Sequence, residues 1–338
     1  MNAPRSVFDN PAAPLLLRRA AAAHEAPRVL GTVGLGVAPP HPANGAPAVA
    51  VPVRQLEGTR AAFETWCARG AVSVGTLGPI RYATDGELLF GHLVCDDDTS
   101  LQDCAQRSYE AIFAVLDRSG CSHPLRFWNY VPHINLVTGS LERYRQFNIG
   151  RQAAFLAAGR PAFEGAPAAC ALGTYGGGLS VHFLAARRAP IALENPRQVS
   201  AYRYPPDYGP RSPTFSRAAL FELGAPVLFV SGTAAIVGHR SMHPGDAAAQ
   251  TRETFVNLRA LIEVANARLA APAFSLERLA YTVYVRRAED AAAVRAQFEA
   301  AVGSDSPAAR DAIFAQADIC RAELLVEIEA TGIGALPR

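Results

Sequence analysis

The sequence contains no lysine, so all 32 of its Lys-plus-Arg cations are arginine. That absence removes Schiff-base chemistry and a phosphate-loop lysine together. The glycine runs GTVGLG (31–36) and GTYGGG (173–178) therefore read as turns rather than nucleotide cradles. Excess charge is also missing: the net is +2, which excludes a strongly basic nucleic-acid surface and makes the arginines matter by placement. The six cysteines, at 67, 95, 104, 121, 170 and 320, contain no CxxC pair. They read as reduced thiols, neither a disulfide frame nor a zinc site, so no metal and no cofactor are expected. No apolar run is long enough to span a bilayer, and Arg18 and Arg19 interrupt the N-terminal apolar patch. A cytoplasmic chain with no membrane partner is the expectation.

What is present is apolar bulk. Half of the 338 residues are apolar, enough to bury a large core in two domains. Residues 1–28, rich in alanine and proline, read as a loosely held arm. Beyond them 49–53 and 88–94 have strand character. Ser100 then opens a helix whose apolar positions, from Leu101 through Tyr109 and Phe113 to Leu116, keep helical spacing until Gly120. A strand follows at 125–134. The same grammar returns as a strand at 226–230, a cap at Gly245 and Asp246, a helix with Phe255, Leu258, Leu261 and Ile262 on one face, and a strand at 279–285. Residues 141–155 and 291–302 read as second helices of the two units, and LSVHFLA (179–185) lines up with LLVEIEA (324–330). An internal duplication follows, each half a sheet carrying two helices on one face, in the α/β (α+β) class.

That alignment sets Glu327 against His182. Duplicated folds often keep chemistry in one copy, which nominates Glu327. Alternation along a strand puts Leu325, Glu327 and Glu329 on one face and Val326 and Ile328 on the other. If that face lines a cleft, burial and mutual repulsion raise at least one carboxyl into the range of a neutral-pH acid. The same pattern also fits an edge strand showing glutamates to water.

Residues 194–217, ENPRQVSAYRYPPDYGPRSPTFSR, hold four arginines and three tyrosines in a stretch broken by five prolines. The prolines forbid a continuous helix, so an ordered irregular loop is expected. Arg197, Arg203, Arg211 and Arg217 offer planar forks for a carboxylate or phosphate, and Tyr202, Tyr204 and Tyr208 offer hydroxyls and ring faces. A solvated linker between domains would have a similar composition. Other candidates are less supported. His239 and His243 have the spacing of a helical metal pair but run into Pro244 and Gly245, with no third ligand. His133 reads as a core histidine, and neither Cys67 nor Cys170 has the local sequence of a nucleophile.

Several motifs in one order carry a family resemblance. The run LFVSGTAAIVG, GDAAAQTRETFVNLRALIEVANA, LERLAYTVYV and LLVEIEATG resembles a subunit of the Rid (YjgF-like, chorismate mutase-like) fold. RFWNYVPHIN, LERYRQFNIGR, GGLSVHFLA, ENPRQVSAYRYP, YGPRSPTFSRA and SGTAAIVGH resemble the chorismatase family, a match spanning most of the chain after the arm. The resemblance implies tandem Rid-like sheets and an enzyme that removes pyruvate from chorismate, a small dicarboxylate bearing an enolpyruvyl ether. It implies Glu327 as the acid, and Tyr144, Arg151, Tyr204 and Arg217 as donors to the substrate carboxylates. It also ties product choice to small residues. Cys320 is similar to the aromatising type that makes 3-hydroxybenzoate, in some cases with 4-hydroxybenzoate, whereas Ala234 resembles either the type that hydrolyses chorismate to a trans-dihydroxycyclohexadiene carboxylate or the benzoate synthases with mixed products.

The expected organisation is an arm over 1–28, a Rid-like domain over 29–193, an active-site loop over 194–222 and a second Rid-like domain over 223–338, as a monomer or a homotrimer. A Rid-type imine deaminase or a non-catalytic binder of aromatic acids remains open. The arginine that deaminases place ahead of the strand has only Arg310 as a candidate, out of clear register.

Overall fold

The computed structural model describes residues 15–20, 28–96 and 100–334. Two seven-stranded sheets and one four-stranded sheet organise them. In the first sheet the central order is Ala168–Thr174, His123–Pro132, Leu179–Ala186, Leu88–Cys95 and Ile80–Thr84. In the second it is Ile313–Gln316, Ala280–Val285, Val326–Ile333, Ala225–Thr233 and Ala218–Leu223. The two orders correspond strand for strand, and in each the first two strands run parallel while the remaining neighbours are antiparallel. The duplication inferred from the sequence is thus present in the topology.

Each sheet carries two helices on one face. Helices α1 (Leu101–Ser119) and α2 (Arg143–Ala157) cover the first, and α3 (Ala247–Asn266) and α4 (Ala291–Val302) cover the second. Local chemistry sets their ends. The Ser100 side chain accepts from the Asp103 amide, and Gly120 closes α1 at φ 74°, a conformation glycine adopts without strain. Asp246 caps α3 by accepting from the Ala249 amide. Helix α2 begins two residues later than the spacing predicts, because Leu141–Glu142 pairs with Val137–Thr138 first.

The opposite, helix-free faces of both sheets turn inward and share one core with the four-stranded sheet. Trp66 of that third sheet lies 5.8 Å from Trp128 of the first and 6.1 Å from Phe229 of the second. The third sheet corrects two expectations. Leu15–Ala20, placed in a loose arm, is a strand with Leu15 and Leu17 fully buried, paired with Phe63–Ala68. The rest of that arm apart from Arg28 lies outside the described residues. GTVGLG is not a turn but the end of the buried strand Val29–Leu35, where Gly31 leaves room for the Phe90 ring. GTYGGG does turn, between Ala168–Thr174 and Leu179–Ala186.

Candidate active site

Val326–Ile333 is a central strand, with Ala280–Val285 on one side and Ala225–Thr233 on the other. Alternation sends Val326, Ile328 and Ala330 under the helices and Glu327 and Glu329 into the inner face, where they are 3% and 5% exposed. The edge-strand alternative fails. Leu325 precedes the strand and packs on the helix side, not beside Glu327 as alternation from the sequence suggests. His182 holds the matching place in the first sheet but stacks on Trp128 at 4.8 Å and lies near Phe90 and Tyr130, each at 5.8 Å. Burial holds it well below its ordinary value, so it stays neutral.

The pairing of Val326–Ile333 with Ala225–Thr233 is irregular between Val230 and Thr233, and Gly232 sits in that gap. A Cβ there would lie 1.9 Å from Glu327 Oε1, so only glycine leaves space for the carboxyl. The two glutamates then differ in company. Glu329 accepts from Arg126 Nη2 at 2.6 Å and from the Tyr284 hydroxyl at 3.1 Å. Glu327 has, among the described residues, only the Cys320 thiol, 3.9 Å from Oε2. Burial, then the charge of Glu329, pushes Glu327 up to about 8. Burial and the nearby Glu327 push the Cys320 thiol up to about 12, so it is no thiolate nucleophile at neutral pH.

Glu327 lies where two hollows meet. The outer has a volume of about 310 Å³, and Tyr204, Tyr208, Arg217, Ala234 and Arg321 line it. The inner, of about 30 Å³, lies against Arg151, Asn148 and Cys170. Tyr144, Phe215, Gly232, Cys320 and Glu327 border both. The seven residues that the family resemblance implied, namely Glu327, Tyr144, Arg151, Tyr204, Arg217, Cys320 and Ala234, are therefore brought together. Arg151 is 2% exposed among the rings of Tyr109, Phe127 and Phe155, and its Nε and Nη2 have no hydrogen-bond partner among the described residues. Arg217 donates to Tyr204 Oη and to the Val199 carbonyl, both at 2.7 Å, while its Nε is unpartnered. Buried donors with nothing to bind are costly, and a carboxylate in each hollow would satisfy them.

Sequence reasoning missed Asn148, Arg321 and Gly232. Asn148 presents an unpartnered Nδ2 one helical turn after Tyr144, and the spacing 144, 148, 151 was a readable stripe on α2. Arg321 follows Cys320 directly. Its guanidinium lies 4.0 Å from the Tyr208 ring centre and 4.9 Å from that of Tyr204, with Nη2 unpartnered. The proline-rich loop is ordered around two short turns, but of its four arginines only Arg217 lines a hollow. Arg203 and Arg211 are exposed, and Arg197 pairs with Glu253 at 2.7 Å. His239 lies in the turn of a small hairpin and His243 just beyond its second strand, neither on a helix, and no metal-binding cluster occurs among the described residues. His133 is exposed in a turn at φ 51°, not a core residue. Arg310 is exposed on the short helix Pro307–Asp311, apart from both hollows.

A 3-hydroxybenzoate synthase of Streptomyces hygroscopicus is 37% identical over 278 residues, covering 79% of this chain and 80% of that protein. The chain belongs to the chorismatase family. A chorismatase of Streptomyces rapamycinicus is 36% identical over 298 residues, covering 85% of this chain and 86% of its own. Residues 64–185 match the family described as chorismatase FkbO/Hyg5-like, N-terminal, a segment that includes Arg126 and all of α2. A chorismatase crystal structure at 1.08 Å resolution superposes with a TM-score of 0.85 at 31% identity, over 94% of this chain and 98% of that one. No helix among the described residues is long and apolar enough to cross a membrane.

Proposed function

We propose that this family member converts chorismate into pyruvate and 3-hydroxybenzoate, with 4-hydroxybenzoate as a second aromatic product. The observation that carries the reading is a buried Glu327, its carboxyl pushed up to about 8, flanked by hollows where nitrogens of Arg151, Arg217 and Arg321 have no hydrogen-bond partner among the described residues. A substrate with two carboxylates and an acid-sensitive enol ether fits both requirements. Tyr144, Arg151 and Asn148 would hold one carboxylate, and Arg217, Tyr204 and Arg321 the other.

Glu327 gives its proton to the terminal methylene carbon of the enolpyruvyl group, which becomes a methyl and leaves positive charge on the ether carbon. The ring C–O bond then breaks, its electron pair passing to the ether oxygen, which becomes the keto oxygen of pyruvate. For the 3-isomer the neighbouring ring hydroxyl moves to the vacated carbon; for the 4-isomer it stays. Loss of one ring proton restores both aromaticity and the acid. Pyruvate plus hydroxybenzoate account for every atom of chorismate, so no water is consumed.

Incubation with chorismate, followed by assay of pyruvate, tests the reading. Glu327→Gln keeps size and hydrogen bonding but lacks the acidic proton, and turnover should drop by roughly 10²-fold or more with binding retained. Near-normal turnover would remove Glu327 from the mechanism. Product choice follows from the hollow's wall. Cys320 and Ala234 shape it, and a dry, close-fitting wall favours the intramolecular route over attack by water. Cys320→Val adds bulk without charge and should change the product mixture more than it lowers total pyruvate. Chromatography decides: a wild type that yields only the diene diol overturns the aromatising assignment, and an unchanged ratio in the variant clears Cys320.

A further inference from the structure

Two carboxyl groups two residues apart on one strand, both buried on its inner face, cannot easily carry two charges at once. They differ in what holds them. Glu329 meets Arg126 and Tyr284, both of which favour an ionised carboxyl, and the Tyr284 hydroxyl is itself 2.9 Å from that of Tyr130. Glu327 has only the Cys320 thiol as a hydrogen-bond partner among the described residues. Arg126 belongs to the other half of the molecule, and its Nη1 also donates to the Val230 carbonyl at 2.6 Å while its guanidinium lies over Trp128 at 5.2 Å. Its reach is therefore fixed by the packing of one sheet on the other.

We infer that Arg126 and Tyr284 are positioning residues that act through Glu329: by holding Glu329 as the anion they leave the shared proton on Glu327. The inference rests on the reading of Glu327 as the acid. Around Glu329 stand Arg126, Tyr284, Tyr130 and Cys170, together with the Arg19–Glu64 pair of the third sheet. Around Glu327 stand Cys320, Cys170, Glu329, Arg126, Arg286 and Tyr144. Arg286 is occupied by Asp318 at 2.7 Å, which leaves Arg126 as the cation that distinguishes the two carboxyls.

The test compares wild type, Glu329→Gln and Arg126→Gln by two readouts. One is the pH profile of pyruvate release, and the other is carboxyl NMR titration of the substrate-free protein with Glu327→Gln as the assignment control. Removing the negative neighbour in Glu329→Gln should move the alkaline limb, and the Glu327 titration, acid by about one unit or more. Removing the cation in Arg126→Gln should raise the pair's last ionisation, moving the alkaline limb the other way, and cut the neutral-pH plateau by about tenfold or more, because the remaining proton is then held mainly on Glu329. Arg126→Lys should restore most of the plateau. A structural role alone predicts lower amplitude with the limbs unmoved. Limbs unmoved, or moving in the same direction in both variants, would overturn the inference, and if Arg126→Gln fails to fold the Glu329→Gln titration decides by itself. A wild type that releases no pyruvate sinks the chorismate reading instead, while the NMR titration still reports where the proton sits.

Discussion

Gly232 and Glu327 account for each other. The side chain absent from one is the space filled by the carboxyl of the other, and that carboxyl, packed against backbone with the Cys320 thiol 3.9 Å away, is cheaper to bury protonated than charged. The same burial has a consequence for stability. Raised from 4.5 to about 8, Glu327 binds a proton in the folded state that the unfolded chain has already released over that range. Folding stability attributable to it is therefore whole below about pH 4.5 and declines as pH rises toward 8, by an amount on the order of a few kcal/mol. Glu327→Gln has no charge to bury. Its melting temperature should exceed that of wild type by a margin that grows from pH 5 to pH 9, as scanning calorimetry across pH would show; a pH-independent gap would mean that the carboxyl is not held neutral.

At the scale of elements, what was legible in the sequence is what neighbours in the chain decide. Ser100, Gly120 and Asp246 mark helix ends because caps act within a few residues, and the alternation around Glu327 and Glu329 shows in the strand. The proline-rich loop was legible as ordered and irregular, but not in its directions. Arg197 turns to Glu253 on α3 and Arg203 to water, and those choices depend on elements tens of residues away. Helix α2 had the opposite difficulty: Arg151 looks like any surface arginine until the first sheet closes over it. The two buried arginines should therefore behave unlike the exposed one. Losing a charged hydrogen bond to a carboxylate costs about 1.5–3 kcal/mol, so Arg151→Ala and Arg217→Ala should each raise KM for chorismate roughly 10- to 100-fold. Arg203→Ala should leave it near wild type. Steady-state kinetics of the three variants check this, and equal effects at all three would mean that the loop does not anchor the substrate.

Three sheets organise the molecule, their helix-free faces sharing one core, and most of the third was hidden in the sequence. It joins 15–20 to 63–68 and 29–35, short strands that no local period announces, and only its strand at 48–51 had shown strand character. Arg19 shows why. Within an apolar patch it reads as an interruption, yet it is buried at the junction of two sheets, where it pairs with Glu64, donates to the Tyr281 carbonyl and reaches Thr282 Oγ1 at 2.8 Å. One side chain thus ties the N-terminal strand to Ala280–Val285, the neighbour of the strand that carries Glu327. Removing it strands Glu64, a carboxyl that burial already raises above its ordinary value, without its cation. Arg19→Ala should then lower stability by about 3–5 kcal/mol, the usual cost of leaving a buried charge unpaired. Arg19→Met with Glu64→Gln removes both charges, keeps much of the volume and should recover a large part of that loss. Urea unfolding of the two variants separates the readings: if the double variant is no more stable than Arg19→Ala, the strand is held by its leucines and the ion pair contributes little.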